Sequence, residues 1–79
     1  MNVTVVSAEK KENFSVTALE CQTPYGNLTI LEGHAPELIL LKKNSCISLV
    51  ATKTEKTDCP VTNQGMIEIL RDHVLVILT

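Results

Sequence analysis

Only a few side chains in this sequence could do more than pack: His34 and His73, the thiols of Cys21, Cys46 and Cys59, and the carboxylates Glu32 and Glu37 that flank His34. General acid–base work at His34 needs a nucleophile or a carboxylate held in place beside it, and Glu32 and Glu37 are its only near acidic neighbours. Metal binding needs ligands at regular spacing, yet His73 is the only other histidine. An enzyme or metal centre built on this pair therefore requires a fold that brings both into one cleft. The cysteines are odd in number and widely spaced, with no CxxC pair, which argues against a zinc site or a dithiol redox motif. They read as free thiols of a reducing compartment and as small buried or half-buried hydrophobes. No Ser/His/Asp arrangement, phosphate-binding glycine loop or carboxylate pair is present. The sequence predicts no catalytic residue, no metal and no cofactor, and His34 reads as a loop histidine bonded to backbone or as a contact residue.

The charge pattern removes other classes of function. A net charge of -2 and a pI of about 5.6 do not suit a phosphate-binding surface, which needs clustered Lys and Arg. The bases occur as two short pairs, Lys10-Lys11 and Lys42-Lys43, with Lys53, Lys56 and Arg71 scattered. Aromatic residues are limited to Phe14 and Tyr25, too few for a stacking platform on single strands. The opening MNVTVVSAEKKENF lacks the basic and apolar regions of a signal peptide. The longest apolar run, Leu38 to Leu41, is far too short to span a bilayer. Neither nucleic acid binding nor direct membrane insertion is expected.

The elements that must position these residues are strands. The chain has 79 residues, enough for one domain, and its 44% hydrophobic and 20% charged content is that of a globular core made of Val, Ile and Leu. Val3–Val6 is a β-branched strand, followed by a polar turn over 7–13. Phe14, Val16 and Ala18 alternate with Ser15, Thr17 and Leu19, which predicts one strand with a buried face. Thr23-Pro24-Tyr25-Gly26-Asn27 is a turn, because Pro fixes φ and Gly supplies positive φ. Strands follow over 28–31, 38–41 and 46–51, with Ile47 and Leu49 on one face. Thr52 to Thr57 reads as an exposed hairpin, and Pro60 restricts 58–62 to an edge strand. Met66–Leu70, the turn Arg71-Asp72-His73 and Val74–Leu78 form the clearest hairpin, with Met66, Ile67, Ile69 and the closing strand assigned to the core. Many short strands with closely spaced turns predict an all-β, two-sheet sandwich of mostly antiparallel strands spanning 1–79.

Five blocks give this pattern a likeness. Gly26-Asn27-Leu28-Thr29-Ile30-Leu31-Glu32-Gly33-His34-Ala35-Pro36 resembles the segment of ATP synthase epsilon subunits in which a Gly-x-Leu-Gly-Ile strand leads into a Gly-His-Ala-Pro loop. Val5-Val6-Ser7-Ala8-Glu9 is similar to that family's first strand and turn, and Leu41-Lys42 to its Leu-Lys before a turn. Gly65-Met66-Ile67-Glu68-Ile69 is similar to its Gly-x-x-Glu-Val strand, and Val74-Leu75-Val76-Ile77-Leu78 to its closing Val-x-Val-Leu. Thr29 stands where the family has a second Gly, Lys43-Asn44-Ser45 where it has a Pro-Gly turn, and Pro60 within a usually regular strand.

The resemblance implies a non-catalytic rotor coupling subunit of the central stalk of a proton- or sodium-translocating F-type ATP synthase, peripheral at the cytoplasmic face of a bacterial membrane or its organellar equivalent. It implies contact with the gamma subunit through Ser7, Gly33, His34, Ala35 and Pro36, and with the c-ring through Tyr25, Gly26, Asn27 and Leu28. Gly33 and Pro36 read as backbone devices that present His34 and Ala35, and Asn27 stands where many members carry an acid. The family's C-terminal helical hairpin has no counterpart in these residues, so neither its inhibitory action nor its ATP site is expected of them. The isolated domain is expected to be a monomer. The competing reading is an epsilon-like sandwich that works as a protein-binding module outside any synthase.

Overall fold

Each run of β-branched and aliphatic residues in this chain is bounded by a turn residue, and each becomes one short strand. The structure is a computed structural model describing residues 1–79. Its strands are β1 (Asn2–Val6), β2 (Lys11–Ser15), β3 (Ala18–Thr23), β4 (Gly26–Leu31), β5 (Glu37–Leu40), β6 (Ser45–Val50), β7 (Lys56–Val61), β8 (Gly65–Ile69) and β9 (Val74–Leu78). They form a five-stranded sheet of order β2-β1-β9-β8-β5 and a four-stranded sheet of order β4-β3-β6-β7. Every pairing is antiparallel except the one between β1 and β9, where the first and last strands run side by side in parallel. The predicted two-sheet, mostly antiparallel sandwich is what forms.

The core lies between the sheets. From the five-stranded sheet come Val5, Val76, Ile67 and Ile39, which are cross-strand neighbours in one register row, together with Val3, Val74 and Ile69. The four-stranded sheet supplies Leu19, Cys21, Ile30, Ile47, Leu49 and Val61. Gly65 faces this interior, and a Cβ there would come within 3.0 Å of both Leu41 Cδ1 and Leu78 Cδ2. No buried side-chain nitrogen or oxygen lacks a hydrogen-bond partner.

Two expectations are corrected. Residues 7–13 are not one turn: only the stretch before Lys11 turns, and Lys11–Asn13 pairs with β1 as a charged edge strand. Charge on an edge discourages pairing with a further strand, which explains how a strand can look like a loop in sequence. Likewise 14–19 is not one strand. The chain leaves the five-stranded sheet after Ser15 and enters the four-stranded sheet at Ala18. Val16 exchanges hydrogen bonds with Met1, the amide of Thr17 donates to the Val50 carbonyl, and the buried Val16 side chain fills the junction between the sheets.

Other features follow local rules. Only Pro24 and Tyr25 lie outside the β3–β4 pairing, because Thr23 already faces Gly26. Asn44 has a φ of 58°, the left-handed conformation that Asn tolerates better than other side chains, so it serves where the family has a Pro-Gly turn. Thr29 lies exposed on the outside of β4, opposite Glu20. Pro60 sits in β7, an edge strand, as its missing N–H requires. Cys21 is buried and Cys59 half-buried, but Cys46 is exposed, against its assignment as a buried small hydrophobe. Strand alternation explains the difference: Ile47 and Leu49 take the inner face of β6, which turns Cys46 outward.

Candidate docking surface

The outer faces of the two sheets differ in kind. A register row across the four-stranded sheet exposes Thr29, Glu20, Ser48 and Asp58, with the pairs Asn27–Gln22 and Cys46–Pro60 beyond it on the same face. This face is polar and internally paired, with Ser48 Oγ donating to Asp58 Oδ1 at 2.8 Å and Lys56 3.4 Å from Glu20. Rows across the five-stranded sheet read Asn13, Thr4, Leu75, Glu68, Leu38 and then Lys11, Val6, Ile77, Met66, Leu40. Seen from outside, this sheet presents Val6, Ile77, Met66, Leu40, Leu75 and Leu38 as an apolar patch interrupted by Glu68, in which Leu38 and Leu40 are 59% and 62% exposed. Sheets with one face in water alternate cleanly, whereas near-continuous apolar runs mark strands covered on both faces. Glu37-Leu-Ile-Leu40 and Val74-Leu-Val-Ile-Leu78 are such runs. The sequence pattern assigns Met66 and the whole closing strand to the core. In the structure only alternate residues go inward, while Met66, Leu75 and Ile77 face out and are only partly covered. The signal in the sequence is the missing alternation.

The Gly33–Pro36 loop runs directly into β5, the edge of this apolar face. Gly33 has a φ of +86°, a conformation L side chains rarely adopt, and nothing lies within 4 Å of where its Cβ would be, so glycine serves the turn and not a close approach. The amide of His34 donates to the Leu31 carbonyl. Its half-buried ring places Nδ1 2.8 Å from the Ala35 carbonyl, which makes Nδ1 the protonated nitrogen, and leaves Nε2 3.9 Å from Glu37 Oε1. The backbone hydrogen bond expected of a loop histidine is therefore present.

His34 and His73 do line one cleft of about 270 Å³, together with Met1, Asn2, Glu32 and Asp72. Each ring is already engaged. Thr4 Oγ1 donates to Asn13 Oδ1 at 2.8 Å and lies 2.8 Å from His73 Nε2, so that nitrogen donates to the hydroxyl. No group of three His, Cys, Asp or Glu side chains converges into a metal ligand set. The arrangement ties loops to strands and supplies neither a nucleophile nor an open coordination site.

Tyr25 projects from the β3–β4 turn at 99% exposure, held there by Thr23, whose Oγ1 donates to the Gly26 carbonyl and accepts from the Tyr25 amide. Gly26 and Asn27 belong to β4, with Asn27 exposed, while Leu28 points inward and packs against the core. The turn and the Gly33–Pro36 loop lie at opposite ends of β4. Ser7 follows β1 and lines a groove with Lys10, Leu78 and Thr79, whereas Asn2 at the other end of β1 shares the cleft with His34. The structure thus separates Ser7 from Gly33–Pro36, placing them at diagonal corners of the five-stranded sheet with the apolar face between. Burial pushes the Cys21 thiol pKa upward, and burial followed by the nearby Glu12 does the same at Cys59, so neither is an activated nucleophile.

Comparison with known proteins agrees with this fold. No curated protein sequence matches the chain. Among solved structures it is similar to a chain in the cryo-EM structure of the Tetrahymena thermophila mitochondrial ATP synthase central stalk and c-ring, with a TM-score of 0.77 and 19% identity over 99% of this chain and 62% of that one. It is also similar to a chain in the Euglena gracilis mitochondrial ATP synthase structure containing OSCP, F1 and c-ring, with a TM-score of 0.83 and 15% identity over 96% of this chain and 48% of that one. The 79 residues therefore span only 62% and 48% of those two chains, and at these identities the likeness is one of fold. The family model of the ATP synthase Delta/Epsilon chain beta-sandwich domain matches residues 1–79, and the chain belongs to that family.

Proposed function

We propose that this domain is a rotor coupling element of an F-type ATP synthase, joining the gamma subunit to the c-ring and performing no chemistry of its own. The observation that carries this reading is the one-sided apolar face of the five-stranded sheet, which a domain working alone would keep polar. Gamma docks on that face and on the adjoining loop Gly33, His34, Ala35 and Pro36. Ser7 joins the same footprint at its far corner, since β1 and β5 are three strand spacings apart, roughly 14 Å. The c-ring meets the turn at Tyr25, Gly26 and Asn27, with Tyr25 as the anchor and Leu28 supporting the turn from within. Tyrosine suits this role because it buries an apolar ring while keeping a polar tip.

Two docking regions at opposite ends of a six-residue strand lie roughly 20 Å apart, and a packed core between them makes the domain a stiff spacer. Torque passes through fixed contacts while the chemistry occurs in other subunits. The domain sits peripherally at the membrane. The two structures described above are mitochondrial, so an organellar setting stands beside the bacterial cytoplasmic face.

Co-expression with a cognate gamma subunit tests the reading. The native domain co-purifies with gamma. Leu38→Glu/Leu40→Glu, two changes at exposed positions, leaves the circular dichroism spectrum intact and abolishes co-purification. Tyr25→Ala retains gamma but reduces recovery of the c-ring with the complex. A correctly folded native domain that does not bind gamma overturns the assignment and leaves a sandwich serving some other protein.

A further inference from the structure

The apolar face carries one feature that hydrophobic docking alone does not explain. Glu68 lies in the middle of it, with Leu75 and Leu38 as its cross-strand neighbours and Met66 next on the same face of β8. The domain's three ion pairs, Lys10–Glu12, His34–Glu37 and Lys56–Glu20, leave this carboxylate unpaired. Arg71, close in sequence, lies exposed in the β8–β9 loop and forms no ion pair. While the face is free, water solvates Glu68. Any partner that covers the face removes that water, and a carboxylate buried without a counter-charge is strongly unfavourable.

Beside it, the end of the same face is concave. A groove of about 500 Å³ is lined on its apolar side by Leu40, Leu41, Met66 and Ile77, and otherwise by Gly65 and the polar Lys43, Asn63, Gln64 and Thr79. An apolar wall this size accepts one bulky side chain, and its position one register row from Glu68 fixes where a neighbouring charge on the partner must fall.

We propose that Glu68 is a specificity-determining residue of this surface: it receives a lysine or arginine from an amphipathic segment of the partner, whose large apolar side chain seats in the groove between Leu40, Met66 and Ile77. The inference rests on the reading of this face as the gamma-docking surface and adds the chemistry of the segment that docks. The apolar anchor supplies affinity, and the Glu68 pair fixes register and rejects segments with an acid or no charge at that point. Arginine is the better partner, since its planar fork meets a carboxylate with two parallel hydrogen bonds.

Binding of purified gamma subunit to the full chain, measured by surface plasmon resonance at several salt concentrations, tests this with three folded variants. Glu68→Gln weakens binding by about 30-fold, the effect expected for truncating one member of a desolvated charge pair. Glu68→Lys weakens it further, and one Lys→Glu or Arg→Glu change in gamma restores it. Leu40→Glu abolishes binding whatever stands at position 68. If both Glu68 variants bind like the native chain while Leu40→Glu does not, the charge pair is refuted and the apolar docking face stands. If Leu40→Glu also binds normally, the docking face itself is refuted and the proposal falls with it.

Discussion

Thr4 is the domain's only buried polar side chain, and it accounts for more order than its size suggests. Its hydroxyl accepts from His73 Nε2 and donates to Asn13 Oδ1, linking the loop before β9 to β1 and β2 on the outer face. Thr4→Val keeps the shape and deletes both bonds. It should lower stability by about 1–2 kcal/mol in urea denaturation, while Thr4→Ser, which keeps the hydroxyl, should lose less. The thiols give a second prediction at this scale. Burial raises the Cys21 pKa above its ordinary 9.0, so the folded state holds the proton at pH values where the unfolded chain has released it. The unfolded state then binds fewer protons, and stability falls as pH rises from about 9.0 through the folded pKa. Urea midpoints of the reduced protein should decline more steeply than those of Cys21→Ala as pH rises from roughly one unit below that ordinary value to one or two above it.

Among the elements, those with local signals are legible in the sequence alone. The β8–β9 hairpin, the inward Ile47 and Leu49 of β6 and the edge position of Pro60 each follow from alternation or from a residue that cannot donate to a ladder. The passage from β2 to β3 is not legible in the same way. Phe14, Val16 and Ala18 keep a period of two straight through the junction, although the chain changes sheets there. The cue is a shift of phase: burial passes from Val16 to Leu19 and then Cys21, three residues and then two. The outer face of the five-stranded sheet shows the opposite case. Val74-Leu-Val-Ile-Leu78 lacks alternation because neighbouring residues face a core on one side and an open apolar surface on the other. Composition assigns all five to a core, and only register reveals that the sheet has two apolar faces. Ser7 and the Gly33–Pro36 loop are grouped by the family likeness and by nothing in their own residues. What lies between them is the breadth of the sheet, which local sequence does not specify.

At the scale of the molecule, the parallel β1–β9 pair gives the sandwich a mechanical character. Val3 faces Val74 and Val6 faces Ile77, so the chain's two termini leave these adjacent strands at opposite ends. Force applied between Met1 and Thr79 runs along both strands and loads all their hydrogen bonds at once, in shear. Force applied between Asn63 and Thr79 instead opens the β8–β9 hairpin from its free end, bond by bond, like a zip. Single-molecule pulling should therefore show a distinctly higher rupture force for the first attachment than for the second, at equal loading rate. Equal forces would show that the β1–β9 pair is not the clamp. Pairing its own first and last strands in parallel directs load applied at Met1 and Thr79 along the axis in which a β-ladder yields last.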